Sequence, residues 1–342
     1  MRKYFSLGII TLLVLVLAAC GEKSKEDVVN KLQENVENMS GYQAQATMSL
    51  QTGEESQTFT IDIAHQKEDY YRVLLKNEND EEGSQIILRN DEGVFVLTPA
   101  LNKSFKFQSE WPQNSSQPYL YQSLVNDVIS DSESSFNTTE NHYVFETKTN
   151  YQNNNNLPYQ ELYFDKKSYA PVMVKVLDKD KNPLVEVDFS QFELDPEFAE
   201  DTFEIENNMT SSLFGIPVMA EEEETESNQD FSVLYPTEKM GAELAESKEV
   251  NLENGKRVTL TYEGERHFTL VQERVDAYPT TAASPKTVAE AEPVSIDGTM
   301  GALTDKSLEW TMDGVNYYLA SEELTKEEML EVAGSVEAQA AK

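Results

Sequence analysis

Cysteine is the residue that this sequence most conspicuously lacks. Cys20 is its only cysteine in 342 residues, so no disulfide can form within the chain. Histidine is nearly as scarce, with three residues, and Lys and Arg together number 27 against 62 Asp and Glu. The resulting formal net charge of −35 disfavours non-specific binding to nucleic acid and to anionic lipid headgroups, because like charges repel. We therefore expect no nucleic-acid partner and no basic membrane-binding patch.

Long apolar runs are also missing, with one exception at the start of the chain. Arg2 and Lys3 precede an apolar run over residues 7–19, which is short for a membrane span and is typical of a secretory signal. The run ends in Leu-Ala-Ala-Cys at 17–20, which resembles a bacterial lipobox, where a signal peptidase cleaves before a cysteine that carries diacylglycerol. A true membrane helix, or an ordinary cleaved signal followed by a chance cysteine, are the alternatives.

The lipobox reading predicts how the protein is held at the membrane. Residues 1–19 are then a signal peptide, and the mature chain begins at Cys20 with a diacylglyceryl anchor. Each buried methylene contributes about 0.8 kcal/mol, and two acyl chains hold a protein that a single chain would release. We expect the protein to be lipid-anchored on the extracytoplasmic face of the cell membrane.

An amphipathic helix is predicted directly after the anchor. Ser24 followed by Asp27 is an N-cap pattern, and apolar residues recur at near-helical spacing from Val28 to Met39. The helix should stop at Ser40-Gly41, because glycine commonly ends a helix. Its polar face is acidic, so packing on a sheet is favoured over lying on a membrane surface.

From residue 42 the apolar period changes to two, which predicts strands. Phe59, Ile61 and Ile63 alternate with polar residues, and turn signals at 79–83 and 90–93 separate the following strands into an antiparallel meander. A second helix is predicted over 119–129. Further strands are predicted at 143–148, 159–164, 171–177 and 184–189.

A change of composition divides the chain after residue 205. The segment 206–230 contains the acidic run 221–226, which repels itself and favours a solvated linker. Beyond it, Asp313-Gly314 between alternating apolar residues predicts a hairpin, and Thr325 with Glu328 forms a capping box for a last helix. We interpret 231–342 as a smaller second domain, with a polar loop over residues 279–293.

Motifs of common enzymes are missing as well. There is no Gly-x-Ser-x-Gly, His-Glu-x-x-His, P-loop or dinucleotide glycine cluster, and the histidines at 65, 142 and 267 are isolated. Asp178-x-Asp-x-Asn begins like a calcium loop, but Pro183 and Phe189 occupy the positions that require Gly and Glu. We predict no metal, no cofactor and no catalysis, while a chance pair of glycosidase-like carboxylates stays an alternative.

Three stretches resemble known families. Residues 85–107, a strand, an Asp-x-Gly turn, an aromatic-rich strand and then Thr98-Pro99, are similar to a hairpin of LolA-like lipoprotein carriers and RseB-like proteins. Residues 189–203 resemble the end of a LolA-like domain. Residues 308–319, with the helix after them, resemble the C-terminal module of Gram-positive sporulation lipoproteins of the YdcC type.

These resemblances imply an α+β fold with a candidate binding groove. Residues 20–205 would form a strongly curved antiparallel sheet, a LolA-like half-barrel with helices over its concave face, followed by the smaller C-terminal α+β domain. In LolA-like proteins the groove holds acyl chains. The candidate apolar lining, for which core packing is the simpler explanation, comprises Phe59, Ile61, Tyr71, Val73, Phe95, Phe107, Val174 and Val187.

The implied function is that of a non-catalytic sensor, chaperone or scaffold in sporulation or germination. Such a protein would bind acyl chains or a partner protein of the cell envelope or spore cortex. A lipid or lipoprotein carrier of the LolA type is the alternative. The predicted anchor weakens it, because a carrier must shuttle and a Gram-positive cell has no outer membrane to supply. An enzyme is the third hypothesis.

Overall fold

The computed structural model consists mainly of antiparallel sheet. It describes residues 23–52, 55–77, 84–101, 103–107, 109–113, 116–150, 157–209, 232–252, 255–275, 286–288, 291–296 and 298–337. Within these ranges, no helix is long and apolar enough to cross a bilayer. The predicted lipidation site Cys20 and the acidic run lie outside the described residues.

Four α-helices are present in the described ranges. They are α1 (Lys25–Asn38), α2 (Tyr121–Ser130), α3 (Ile205–Asn208) and α4 (Lys326–Ala333). Ser24 and Asp27 form a complete capping box before α1, and Thr325 and Glu328 form one before α4. Both predicted helix starts are therefore confirmed, because side-chain oxygens satisfy the free N–H groups of the first turn.

The first sheet has twelve strands. These are β1 (Gly41–Thr52), β2 (Glu55–Gln66), β3 (Tyr70–Asn77), β4 (Gln85–Asn90), β5 (Gly93–Thr98), β6 (Lys103–Phe107), β7 (Ser135–Thr138), β8 (His142–Lys148), β9 (Tyr159–Asp165), β10 (Pro171–Leu177), β11 (Pro183–Leu194) and a later strand at Lys286–Val288. Their order is Lys286–Val288, then β6-β5-β4-β3-β2-β1-β11-β10-β9-β8-β7. Every pair is antiparallel except the first, in which Lys286–Val288 runs parallel to β6.

This sheet is strongly curved and open, and helices cover one of its faces. The register slips between Gln45 and Ala46 where β1 meets β11, and such bulges increase local twist. Side chains from β1 through β11 on that face join Val28 and Leu32 of α1 and Leu124 of α2 in one apolar cluster. The α+β half-barrel predicted from the resemblance is thus confirmed.

The second sheet has seven strands and belongs to the C-terminal part of the chain. They are β13 (Ala242–Leu252), β14 (Gly255–Gly264), β15 (Phe268–Val275), β17 (Glu292–Ile296), β18 (Thr299–Leu303), β19 (Ser307–Met312) and β20 (Val315–Ala320). Three further strands lie outside this sheet: β12 (Tyr235–Pro236), β16, which is the strand Lys286–Val288 of the first sheet, and β21 (Val336–Glu337). The order is β13-β14-β15-β20-β19-β18-β17, with β12 and β21 forming a separate pair. Helix α4 covers one face through Met329 and Val332.

A buried contact, here called the joint, connects the two sheets. The side-chain Oε1 of Gln85 on β4 accepts hydrogen bonds from the N–H of Met300 (2.6 Å) and the hydroxyl of Thr299 (3.0 Å), while its Nε2 donates to the Met300 carbonyl (3.2 Å). Gly298, at φ +82°, lies so close to the ring of Phe59 that a Cβ would collide with it. Met300 and Ala302 of β18 accordingly belong to the apolar cluster of the first sheet.

Two parts of the C-terminal half differ from the sequence-based prediction. Residues 279–293 were expected to form a polar loop, but β16 extends the first sheet there and β17 begins at Glu292. Strand β13 was not predicted, because its side chains from Glu243 to Asn251 are all exposed and show no apolar alternation. In both places the pairing partner, and not the local pattern, determines the structure.

Replacing Gln85 with Ala should weaken the joint. The buried N–H of Met300 would lose its acceptor, and an unsatisfied buried donor costs about 1–3 kcal/mol. We expect the free energy of unfolding, measured by urea denaturation, to fall by that amount. Gln51→Ala is the matched control, since Gln51 is exposed and its side chain donates a hydrogen bond to Ser56 on the neighbouring strand, among the residues the structure describes. Equal stabilities of the two variants would contradict this role for Gln85.

Candidate functional site

The structure places the candidate groove residues inside the protein. All eight are at most 4% exposed. Seven of them share the helix-covered face and its apolar cluster: Phe59, Ile61, Tyr71, Val73, Phe107, Val174 and Val187. These seven side chains belong to one buried apolar cluster, which also contains residues of α1 and α2.

Phe95 does not share this face, so its assignment to the lining was wrong. Its neighbours Val94 and Val96 on β5 belong to the helix-covered cluster. Because successive side chains of a strand point to opposite faces, Phe95 lies on the other side, in a second cluster with Leu88 and Phe203. The ammonium of Lys106 lies 5.4 Å from the Phe95 ring centroid.

Aromatic side chains fill the middle of the helix-covered face. His65 stacks on Tyr71 with ring centroids 4.3 Å apart, and Trp111 meets the edge of Tyr71 at 5.7 Å. Tyr42 approaches His65 at 5.4 Å and accepts a hydrogen bond from the N–H of Tyr121, the first residue of α2. This stack ties β1, β2 and β3 to the helix above them.

His65 and Trp111 were not among the predicted lining residues. A signal for His65 was present, because it continues the two-residue period of Phe59, Ile61 and Ile63 along β2. Its Nδ1 lies 3.0 Å from the Tyr70 carbonyl oxygen, so a hydrogen bond to the backbone holds the ring in place. Burial lowers the pKa of His65 from 6.5 to about 4, so the ring is neutral at pH 7.

A carboxylate holds helix α2 in place over the sheet. Asp127 accepts hydrogen bonds from the Ser116 hydroxyl (2.9 Å) and from Nε2 of Gln160 on β9 (2.7 Å). Burial raises the pKa of Asp127 to about 6, although both hydrogen bonds favour the ionised form. This polar contact closes the interior on the side of β9.

A small cavity lies next to Phe59, one of the candidate lining residues. A cavity of about 20 Å³ lies at the joint beside Phe59 and Gln85, and a site of that size holds about one water molecule. A larger cavity of about 320 Å³ lies elsewhere, on the surface. Its lining residues are Ser40, Gln66, Lys67, Glu68, Pro196 and Phe198.

The described ranges contain no cluster of polar side chains suited to binding a metal ion. No group of three or more His, Cys, Asp or Glu residues could hold a metal ion within those ranges. The Asp178 carboxylate, considered as a calcium ligand, accepts hydrogen bonds from the N–H groups of Asp180 and Asn182 in its own turn. His267 pairs with Glu323 at 2.9 Å, which raises its pKa, and His65 bonds a carbonyl.

Replacing His65 with Phe should change how stability depends on pH. The folded-state pKa of about 4 lies below the ordinary 6.5, so the unfolded chain binds the proton more tightly. The wild-type protein therefore loses stability through His65 as pH falls from about 6.5 towards 4. Phe keeps the ring stacking but does not titrate. In denaturation experiments, the stability of the His65→Phe variant relative to wild type should therefore rise as pH is lowered from about 7 to about 4.5.

The matched control for this experiment is His267→Gln. His267 is exposed, and Glu323 raises its pKa. Replacing His267 should therefore leave unchanged the loss of folding stability that His65 causes as pH falls. Parallel pH curves for wild type and His65→Phe would show that His65 is not the responsible group.

Comparison with known proteins supports the family resemblance. Residues 2–203 match the family model of YdcC-like sporulation proteins. The chain is 46% identical over 343 residues to sporulation protein YdcC of Bacillus subtilis strain 168, a match that covers 100% of this chain and 99% of that protein.

Solved structures with similar folds are much more distant. The MucA/MucB complex structure of Pseudomonas aeruginosa is 14% identical with a TM-score of 0.35, covering 92% of this chain and 100% of that one. A putative outer membrane lipoprotein-sorting protein domain from Vibrio parahaemolyticus is 16% identical with a TM-score of 0.32, covering 54% and 99%. Such TM-scores are too low to support a functional comparison. The full-length similarity to YdcC is sufficient by itself: the chain belongs to the family of YdcC-like sporulation proteins.

Proposed function

We propose that this protein is a lipid-anchored, non-catalytic scaffold of sporulation that binds a partner protein at its outer surface. Its membership of the sporulation family supports the process. The arginine, lysine and lipobox-like residues before Cys20 support a diacylglyceryl anchor and an extracytoplasmic location. A sensor or chaperone would have the same anchor and would also act through a bound partner.

The observation that carries the choice of a protein partner is the packing of the interior. The candidate lining residues on the helix-covered face are at most 4% exposed and belong to the same apolar cluster as residues of α1 and α2. An acyl chain would have to displace α1 or α2, and with α2 the partly buried hydrogen bonds of Asp127. Recognition on the outer surface needs no such rearrangement, which favours a scaffold over a LolA-type carrier.

The anchor is tested by replacing Cys20 with Ser in a sporulating host. Without a thiol no thioether to diacylglycerol can form, and the acyl chains that hold the protein are lost. We expect the variant to leave the membrane fraction after a carbonate wash, while wild type and the neighbouring control Glu22→Ala stay in it. Full retention of Cys20→Ser in the membrane would contradict the lipobox interpretation.

The choice between a protein partner and an acyl ligand is tested on the Cys20→Ser protein recovered from sporulating cells. Solvent extraction and mass spectrometry should find no lipid at one molecule per chain, because the interior is occupied by side chains. A protein that co-purifies at constant stoichiometry, and that chemical cross-linking joins to this chain, should be present. Stoichiometric lipid would instead favour the carrier function.

A further inference from the structure

The long edge strand β13 of the second sheet has an unusual surface. It pairs with β14 on one side, and in the described ranges no strand lies on its other side. Leu244 and Val250 on this strand are each 40% exposed, and they are two of the four large apolar side chains exposed in the described part of the chain. An 11-residue edge with exposed apolar residues is a template for pairing with another strand.

We infer that β13 pairs antiparallel with β13 of a second copy of this chain, around a two-fold axis at Ser247. In such a pair, opposite residues have numbers that add up to 494. Glu246 of each copy therefore faces Lys248 of the other, which gives two symmetry-related Glu–Lys pairs. Leu244 of one copy and Val250 of the other come to the same end of the ladder but lie on opposite faces, because the register slip puts Leu244 opposite Tyr262 and Val250 opposite Arg257. The two seven-stranded sheets become one continuous sheet.

The side-chain faces permit this register. Glu246 and Lys248 lie opposite Thr261 and Thr259 of β14, so they share one face, and Ser247 lies on the other face opposite Leu260. A two-fold axis perpendicular to the sheet keeps each face on its own side. Each Glu246 and its opposing Lys248 are therefore direct cross-strand neighbours. Side chains in this arrangement are close enough for opposite charges to attract.

Neighbouring registers are unfavourable. An axis at Glu246 or Glu249 places two glutamates directly opposite each other, and an axis at Lys248 does the same with two lysines. Like charges in directly opposed positions destabilise strand pairing. Among axes at residues 246–249, the one at Ser247 alone brings unlike charges together, and this self-complementarity favours a second copy over an unrelated basic peptide.

Two features limit the strength of this association. The net charge of −35 on each copy opposes approach, although salt at about 0.1 M screens charges beyond about 10 Å. The register of β13 on β14 slips between Leu244 and Glu246, so the regular ladder is short. The dimer is accordingly weak in dilute solution, and cross-linking of the full chain at its site in the cell is the suitable measurement.

Ser247→Cys provides the first test. It places two thiols across the axis, within the range of Cβ separations that opposed strand residues show. A short bis-maleimide should yield a covalent dimer from the full chain in cells. The wild-type chain, with Cys20 as its sole cysteine, measures the background, and Tyr318→Cys on the central strand β20 is a control with an exposed position away from the edge.

Charge reversal provides the second test, made in the Ser247→Cys chain. Lys248→Glu alone, or Glu246→Lys alone, places like charges opposite each other twice and should lower the cross-linked fraction about tenfold. Combining Glu246→Lys with Lys248→Glu restores the opposite pairs, so cross-linking should recover. Thermal unfolding of each variant shows whether the fold is retained.

Three outcomes would overturn the proposal. They are cross-linking of Ser247→Cys no greater than that of Tyr318→Cys, an unchanged yield after a single charge reversal in a folded variant, and failure of the double reversal to recover the dimer. Cross-linking of Ser247→Cys mainly to a different, basic polypeptide would likewise reject the second copy as the occupant of the edge.

Discussion

The structure depends on covering one face of an open twelve-stranded sheet. That face carries large apolar side chains from nearly every strand, and each one contributes about 1.5–3 kcal/mol only if water is excluded. Helices α1 and α2, Trp111 of the loop between β6 and α2, and β18 of the second sheet each cover part of it. The second sheet thus contributes Met300 and Ala302 to the apolar cluster of the first.

The need to cover this face explains why the residues that the resemblance suggested as a groove lining are buried in the apolar core. A curved sheet under helices can enclose a ligand only if the facing side chains are small or the helices stand away from it. In this chain Tyr42, Tyr71, Trp111 and Tyr121 occupy that space with their rings. The same fold class can therefore accommodate different functions.

Sequence patterns predicted those elements whose structure is decided locally. The capping boxes at Ser24 and Thr325 fixed the starts of α1 and α4, and the Asp313-Gly314 turn, with φ of 52° and 69°, joins β19 to β20 as expected for two left-handed residues. Seven of the eight residues that the resemblance suggested as a lining lie on one face. Phe95 lies on the other, and because both faces of β5 are buried, apolar character alone does not reveal the side on which a residue lies.

Elements decided by distant partners were not predictable from local sequence. The bond between Gln85 and Met300 joins residues 215 positions apart, and nothing near Gln85 distinguishes it from an exposed glutamine. Strand β16 has three residues and exists through its pairing with β6. Edge strand β13 has an exposed surface on both faces and so lacks the alternation by which strands are recognised.

Two polar groups, His65 and Asp127, have opposite effects on how folding stability depends on pH. Burial makes His65 resist protonation, so acidification costs stability there, whereas burial makes Asp127 resist ionisation, so acidification increases stability through that carboxyl. Both contributions change over nearly the same range, from about pH 4 to about pH 6, and they have opposite signs. Because they offset each other, the interior is less sensitive to pH than either group alone.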